Sequence, residues 1–79
     1  MSSIEFSQEA TQLPLGLYRH FKGGEYRVIA VAHHSEDLSE LVVYESLTGG
    51  GVWVRPLSMF LDTKEYEGKE VPRFTYLGA

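Results

Sequence analysis

Three histidines, a scatter of arginines among aromatic rings and several neighbouring carboxylates are the residues here whose chemistry could support a function. His20, His33 and His34 come first, imidazole being the commonest transition-metal ligand and a ready general base. Adjacent His33 and His34 on an extended chain project to opposite faces, so one ion cannot take both unless a turn begins there. Recruiting Glu36 or Asp37 completes a ligand set only through an assumed loop shape, and no metal site is expected. The run His33-His34-Ser35-Glu36 holds a base, a hydroxyl and a carboxylate, the ingredients of nucleophilic catalysis. Those groups must meet in space beside an oxyanion donor, which four consecutive residues rarely achieve. A polar turn is the plainer expectation, with Ser35 or Asp37 bonding the local backbone and Glu36 in solvent. The pairs Glu36/Asp37 and Glu65/Glu67 sit in polar contexts that give no reason for raised pKa values. Phe21-Lys22-Gly23-Gly24 lacks the spacing and the following helix of a phosphate loop, and no cofactor is expected.

The elements that must position these residues are short strands. Residues 17–21, 25–33, 40–47 and 52–55 are rich in β-branched and aromatic types and read as extended. Between them stand turn sequences: Lys22-Gly23-Gly24, the polar stretch through Ser35, Asp37 and Ser39, and Thr48-Gly49-Gly50-Gly51. Pro56 cannot donate to a ladder and favours a first helical position, so it closes the fourth strand and opens one helical turn over 56–61. Residues 62–67 and 70–77 form a last extended pair about Glu67-Gly68, with Pro72 confining the final segment to an edge. Residues 1–12 read as a mobile lead-in or one helical turn, and residues 13–79 as a single domain. The expectation is a mainly β fold: a small five-stranded, strongly bent sheet or barrel of the Src-homology-3-like kind, with one short helical turn.

Strand alternation then sorts side chains by face. Pairing Leu47 with Val52 across the glycine turn sets Ser46 opposite Trp53 and Tyr44 opposite Arg55. Pairing His33 with Glu40 sets Val31 opposite Val42 and Ile29 opposite Tyr44. One face then carries Tyr26, Val28, Ala30, Ala32, Leu41, Val43, Leu47, Val52 and Val54, and is expected to be the core. The other carries Arg27, Ile29, Val31, His33, Val42, Tyr44, Ser46, Trp53 and Arg55, a mix of aromatic, Arg and His that suits contact with a ligand or partner. The rival expectation makes Ile29, Val31 and Val42 a second buried layer and Arg55 an ordinary cation over Tyr44 or Trp53.

Composition bounds the function. A chain of 79 residues makes one domain and buries only about 60% of its unfolded surface, which leaves a marginal core. There is no cysteine, so neither a disulfide framework nor a thiolate metal site can reinforce it. Aromatics make up 13% of the chain and supply the alternative, dense ring packing. A net charge of −4 disfavours duplex nucleic acid as a partner. No apolar run is long enough to span a membrane, and the first residues do not look like a secretory signal, so a cytoplasmic location is expected.

Several stretches together resemble the bacterial domain-of-unknown-function family 1653. They are Gly16-Leu17-Tyr18-Arg19-His20-Phe21-Lys22-Gly23, Tyr26-Arg27-Val28, Ala32-His33-His34-Ser35-Glu36, Leu41-Val42-Val43-Tyr44 and Trp53-Val54-Arg55-Pro56-Leu57-Ser58-Met59-Phe60. The resemblance spans about residues 14–76. It implies a short bacterial protein, mostly stand-alone, and no particular activity. It also singles out positions: Tyr18, Arg19, His20, Lys22, His33, Ser35, Glu36, Tyr44, Trp53 and Arg55 match its polar and aromatic signature. The resulting expectation is a non-catalytic binding module for a small polar ligand, a peptide or a nucleic-acid fragment. Its ligand residues would be Arg19, His20, His33, Ser35, Glu36, Tyr44, Trp53 and Arg55. Two alternatives stand beside it, a homodimeric protein-interaction domain and a very small hydrolase or lyase using His20 or His33 as general base.

Overall fold

The computed structural model describes residues 5–79. A short helix, α1 (Gln8–Gln12), opens the described chain, and its start is fixed twice. The Ser7 hydroxyl oxygen accepts from the Ala10 N–H at 3.1 Å, the usual N-cap bond. Ser7 in turn donates through its backbone N–H and its hydroxyl to the Glu40 carboxylate, which anchors the lead-in and lets Ala10 enter the core.

Five strands follow the expected order: β1 (Gly16–His20), β2 (Glu25–His33), β3 (Glu40–Ser46) and β4 (Val52–Pro56), with β7 (Phe74–Gly78) at the end of the chain. They form one antiparallel sheet in the order β4-β3-β2-β1-β7. No ladder joins β4 to β7 among the described residues, so the sheet is open in its hydrogen bonding. The helical turn after Pro56 is α2 (Leu57–Phe60). The final extended stretch divides. β5 (Thr63–Tyr66) and β6 (Lys69–Pro72) make a separate hairpin, and the chain turns at Arg73 before joining β1 as β7. Two backbone bonds fix that turn: the Arg73 N–H donates to the Asp62 carbonyl and the Phe21 N–H to the Arg73 carbonyl, each at 2.9 Å. At the far end of β1, Gly16 has φ +131° and an added Cβ would stand 2.6 Å from the Gly78 carbonyl oxygen, so only glycine fits where β1 and β7 converge.

The registers explain the faces. Near the polar turn, His33 lies opposite Glu40 and Val31 opposite Val42, as the alternation predicts. A bulge at Ile29 then shifts the ladder, so that Val28 and not Ile29 faces Tyr44. Beyond the bulge Tyr26 and Val28 cross to the face of Val42 and Tyr44. Across the glycine turn the pairing runs Tyr44 to Trp53 and Val42 to Arg55, two residues from the expected register. A two-residue slip keeps every side chain on its own face.

Which face is the core is a correction. Val42 and Tyr44 are buried with Val28, Tyr18, Phe74, Leu57, Phe60 and Ala10, on the side first read as the ligand face. Val52 and Val54, expected inside, are 63% and 59% exposed. The reason is what covers the sheet. α2 folds back across β3 and β4 and stacks Phe60 on Phe74, centroids 4.2 Å apart at 9°. Tyr18 meets Phe60 edge-on at 5.2 Å, and Tyr44 lies 5.9 Å from it. Rings thus fill the interior that a chain without cysteine cannot staple, each adding contact energy beyond its buried area. No helix among the described residues is long and apolar enough to cross a membrane.

Candidate functional site

The covered face is not covered to its end. α2 closes it over Phe60, but toward the glycine turn the sheet runs on uncapped and forms a cleft of about 380 Å³. Tyr26, Tyr44, Ser46, Trp53 and Arg55 line it from three neighbouring strands, and Thr48, Gly49 and Gly50 close it from the turn. Its volume lies in the range of small-molecule sites.

Each wall is held by identifiable contacts. Tyr44 is 5% exposed and its ring is met by Tyr26 at 5.4 Å and Phe74 at 5.7 Å. Arg55 is half-buried; its guanidinium donates through Nε–H to the Tyr44 hydroxyl oxygen at 3.3 Å and stands 5.8 Å from the Phe74 centroid. Trp53 is 55% exposed, yet its indole N–H donates to the Gly50 carbonyl at 3.3 Å. Gly51, at φ +89°, lies so close under that ring that an added Cβ would come within 3.3 Å of the indole nitrogen. The glycine turn therefore acts as a bracket for the indole as well as a hairpin connection.

The charges are distributed unevenly. Three of the four arginines are ion-paired: Arg19 with Glu25 at 3.2 Å, Arg27 with Glu45 at 3.8 Å and Arg73 with Asp62 at 2.7 Å. Arg55 has no carboxylate partner among the described residues. None of the eleven acidic residues lines the cleft, in a chain of net charge −4. A ring-walled concavity with one arginine and no carboxylate in its lining, on an acidic protein, is what the arrangement presents.

His20 stands behind this wall, 5.0 Å from the Phe74 ring and 6.4 Å from Tyr26. Its Nδ1 accepts the Lys22 backbone N–H at 3.1 Å, which leaves the neutral ring's proton on Nε2. Burial first, then the charges of Arg55, Arg73 and Lys22, hold its pKa below the ordinary imidazole value. Burial and the surrounding cations thus both favour the neutral form of His20.

Of the residues singled out from sequence, the structure brings Tyr44, Trp53 and Arg55 together and sets His20 behind them. The others lie apart. Arg19 points to the opposite face of β1 in its ion pair with Glu25. His33 lies at the far end of β2 from Tyr26, about 23 Å along the strand, stacked on Phe6 at 4.2 Å and 14°. Ser35 and Glu36 are exposed in the turn, where the Glu36 N–H donates to His34 Nδ1 at 3.0 Å and Ser39 N–H to Asp37 Oδ1 at 2.9 Å. That is the local turn bonding the polar sequence predicts, and no hydrogen bond joins Ser35 to an imidazole among the described residues. Sequence reasoning did not assign Tyr26, Phe74 or Thr48 to the site. Tyr26 was hidden by the bulge, and Phe74 by its distance along the chain.

Fold and site define a class: a small open antiparallel β-sheet protein with an aromatic, carboxylate-free cleft at one edge of its sheet. The chain belongs to the family described as "Protein of unknown function (DUF1653)", whose model matches residues 16–76. It is similar to a solved protein of that family from Bordetella bronchiseptica, at 29% identity and a TM-score of 0.82, over 87% of this chain and 92% of that one. No curated protein matches it.

Proposed function

We propose that this protein is a non-catalytic binding module whose cleft between Tyr26, Trp53 and the glycine turn takes a small anionic ligand. The observation that carries the reading is Arg55. A half-buried arginine is normally neutralised by a carboxylate, and this one faces a cleft without one. Its Nε–H is held by Tyr44 and its guanidinium carbon lies over the Phe74 ring, which leaves the N–H donors of its two terminal nitrogens for a ligand. A carboxylate or phosphate group fits that fork, and the exposed indole provides apolar area beside it. A cytoplasmic setting belongs to the same reading, supported by the absence of cysteine.

The test is a thermal-shift screen of phosphate, sulfate and small carboxylates against sodium chloride at matched ionic strength. An anion at 100 times its Kd adds about 2.7 kcal/mol of stability. Shifts that require the oxyanion and vanish in Arg55→Met support the reading; equal behaviour of all salts refutes it.

A second reading, self-association, has one observation in its favour. β4 is a sheet edge, and its outward side chains Val52 and Val54 are 63% and 59% exposed. Sedimentation at micromolar concentration decides it: a clean monomer removes the case.

A further inference from the structure

Resting on the anion-binding reading above, we propose that the ligand of this cleft is an unstacked nucleotide, its base lying on the indole of Trp53 and its phosphate on the guanidinium of Arg55. Three features of the site lead there.

The first is the indole. A tryptophan that serves as a hydrogen-bond donor to a ligand keeps its N–H free, whereas Trp53 spends its N–H on the Gly50 carbonyl. What remains to offer is the π-surface of a residue that is 55% exposed, with Gly51 packed close to its nitrogen side. A fixed, solvent-facing indole is a stacking platform, and every nucleobase has a π-face that fits one.

The second is spacing. Trp53 and Arg55 are two residues apart on one strand and line the same cleft, which separates their Cα atoms by about 6.7 Å. Both side chains therefore start from neighbouring positions on one wall, which suits a ligand that carries a base and a phosphate on a single sugar.

The third is the wall beside the ring. Ser46, Thr48 and the Gly49–Gly50 backbone line the cleft next to Trp53. The Ser46 hydroxyl oxygen already accepts from the Gly49 N–H at 2.9 Å, which leaves its proton to donate outward. A hydrocarbon ring such as a phenylalanyl side chain would leave these polar groups unpaired, at a cost to affinity. A heterocycle with donors and acceptors along its edge satisfies them. The acidic chain disfavours duplex binding, in which many phosphates must be met by many cations, but one nucleotide needs only Arg55.

The chain's lone tryptophan is Trp53, so its fluorescence reports the cleft directly. The intact protein is titrated with adenosine and uridine monophosphates, ribose 5-phosphate, N-acetyl-tryptophanate and a short oligothymidylate, exciting where nucleobases barely absorb. The nucleotides are expected to quench the indole and to bind more tightly than ribose 5-phosphate. Calorimetry with Trp53→Ala should show affinity for adenosine monophosphate reduced about 5- to 150-fold, and Trp53→Phe should retain most of it. Tighter binding of the oligonucleotide than of the mononucleotide identifies a single strand as the source; equal binding identifies free nucleotide. Equal affinity for ribose 5-phosphate and adenosine monophosphate, without quenching, overturns this proposal while leaving the anion site standing. N-acetyl-tryptophanate binding more tightly than the nucleotides also overturns it. If no anion binds at all, the underlying reading fails as well.

Discussion

Replacing Arg55 with methionine separates a ligand-binding arginine from a structural strut. In the folded protein Arg55 makes one neutral-partner hydrogen bond, at a long 3.3 Å, and one contact with the Phe74 ring at 5.8 Å. The first is worth about 0.5–1.5 kcal/mol and the second about 0.5–1 kcal/mol. Against them stands partial burial of a charge with no carboxylate in ion-pair contact, Asp62 acting on it only at longer range, a cost of similar size. Methionine keeps an unbranched apolar side chain of similar reach beside Phe74 and removes the charge. Arg55→Met should therefore leave stability within about 1 kcal/mol of wild type, in either direction. The same change removes a charge-assisted bond to an anionic ligand worth about 1.5–3 kcal/mol, so affinity should fall by about 10- to 150-fold. Urea unfolding followed by far-ultraviolet circular dichroism gives the first number, and calorimetric titration with adenosine monophosphate the second. A loss of 3 kcal/mol or more would make Arg55 part of the framework and refute the reasoning. Unchanged affinity would refute it from the other side.

Three further outcomes follow from the fold. Phe60→Ala removes the ring that clamps α2 onto Phe74 and should cost about 3–5 kcal/mol, while exposed Met59→Ala changes stability by about 0.5 kcal/mol or less, both by urea unfolding. Tyr18, whose hydroxyl donates to the Pro14 carbonyl at 2.6 Å, has its pKa raised by burial and then by Tyr76, from 10.0 to about 12. The unfolded chain therefore releases this proton first, so stability should fall as pH rises from about 10 to about 12, and Tyr18→Phe should flatten that stretch of the curve. Gly16→Ala forces a Cβ to 2.6 Å from the Gly78 carbonyl and should destabilise far more than Gly68→Ala, where nothing lies within 4 Å and only backbone strain is added.

Local chemistry made the elements legible. Strand propensity, the glycine triplet, Pro56 and the polar turn place β2, β3, β4 and α2 within a residue or so of where they fall. The pairing of Tyr44, Trp53 and Arg55 on one face also follows from alternation, and survives a two-residue error in register because the side-chain period is two. What alternation could not show was the bulge at Ile29, a one-residue insertion that leaves no mark in composition yet carries Tyr26 and Val28 to the other face. Nor could it say which apolar face is roofed. Val52 and Val54 are as hydrophobic as Val28 and Val42, and the choice is made by Phe60 and Phe74, which arrive from later in the chain. The division of the last extended segment at Arg73 has a similar origin, since the Asp62 carbonyl and carboxylate hold that corner across the β5–β6 hairpin.

The central claim, that Arg55 is the protein's free anion receptor, is tested most directly by following the arginine Nε–H resonances in a nitrogen–proton NMR spectrum during titration with inorganic phosphate. A saturable shift of the Arg55 signal is expected, with Arg19, Arg27 and Arg73 held by their carboxylates and little changed. Movement of all four signals in parallel, or of any of those three ahead of Arg55, would contradict it.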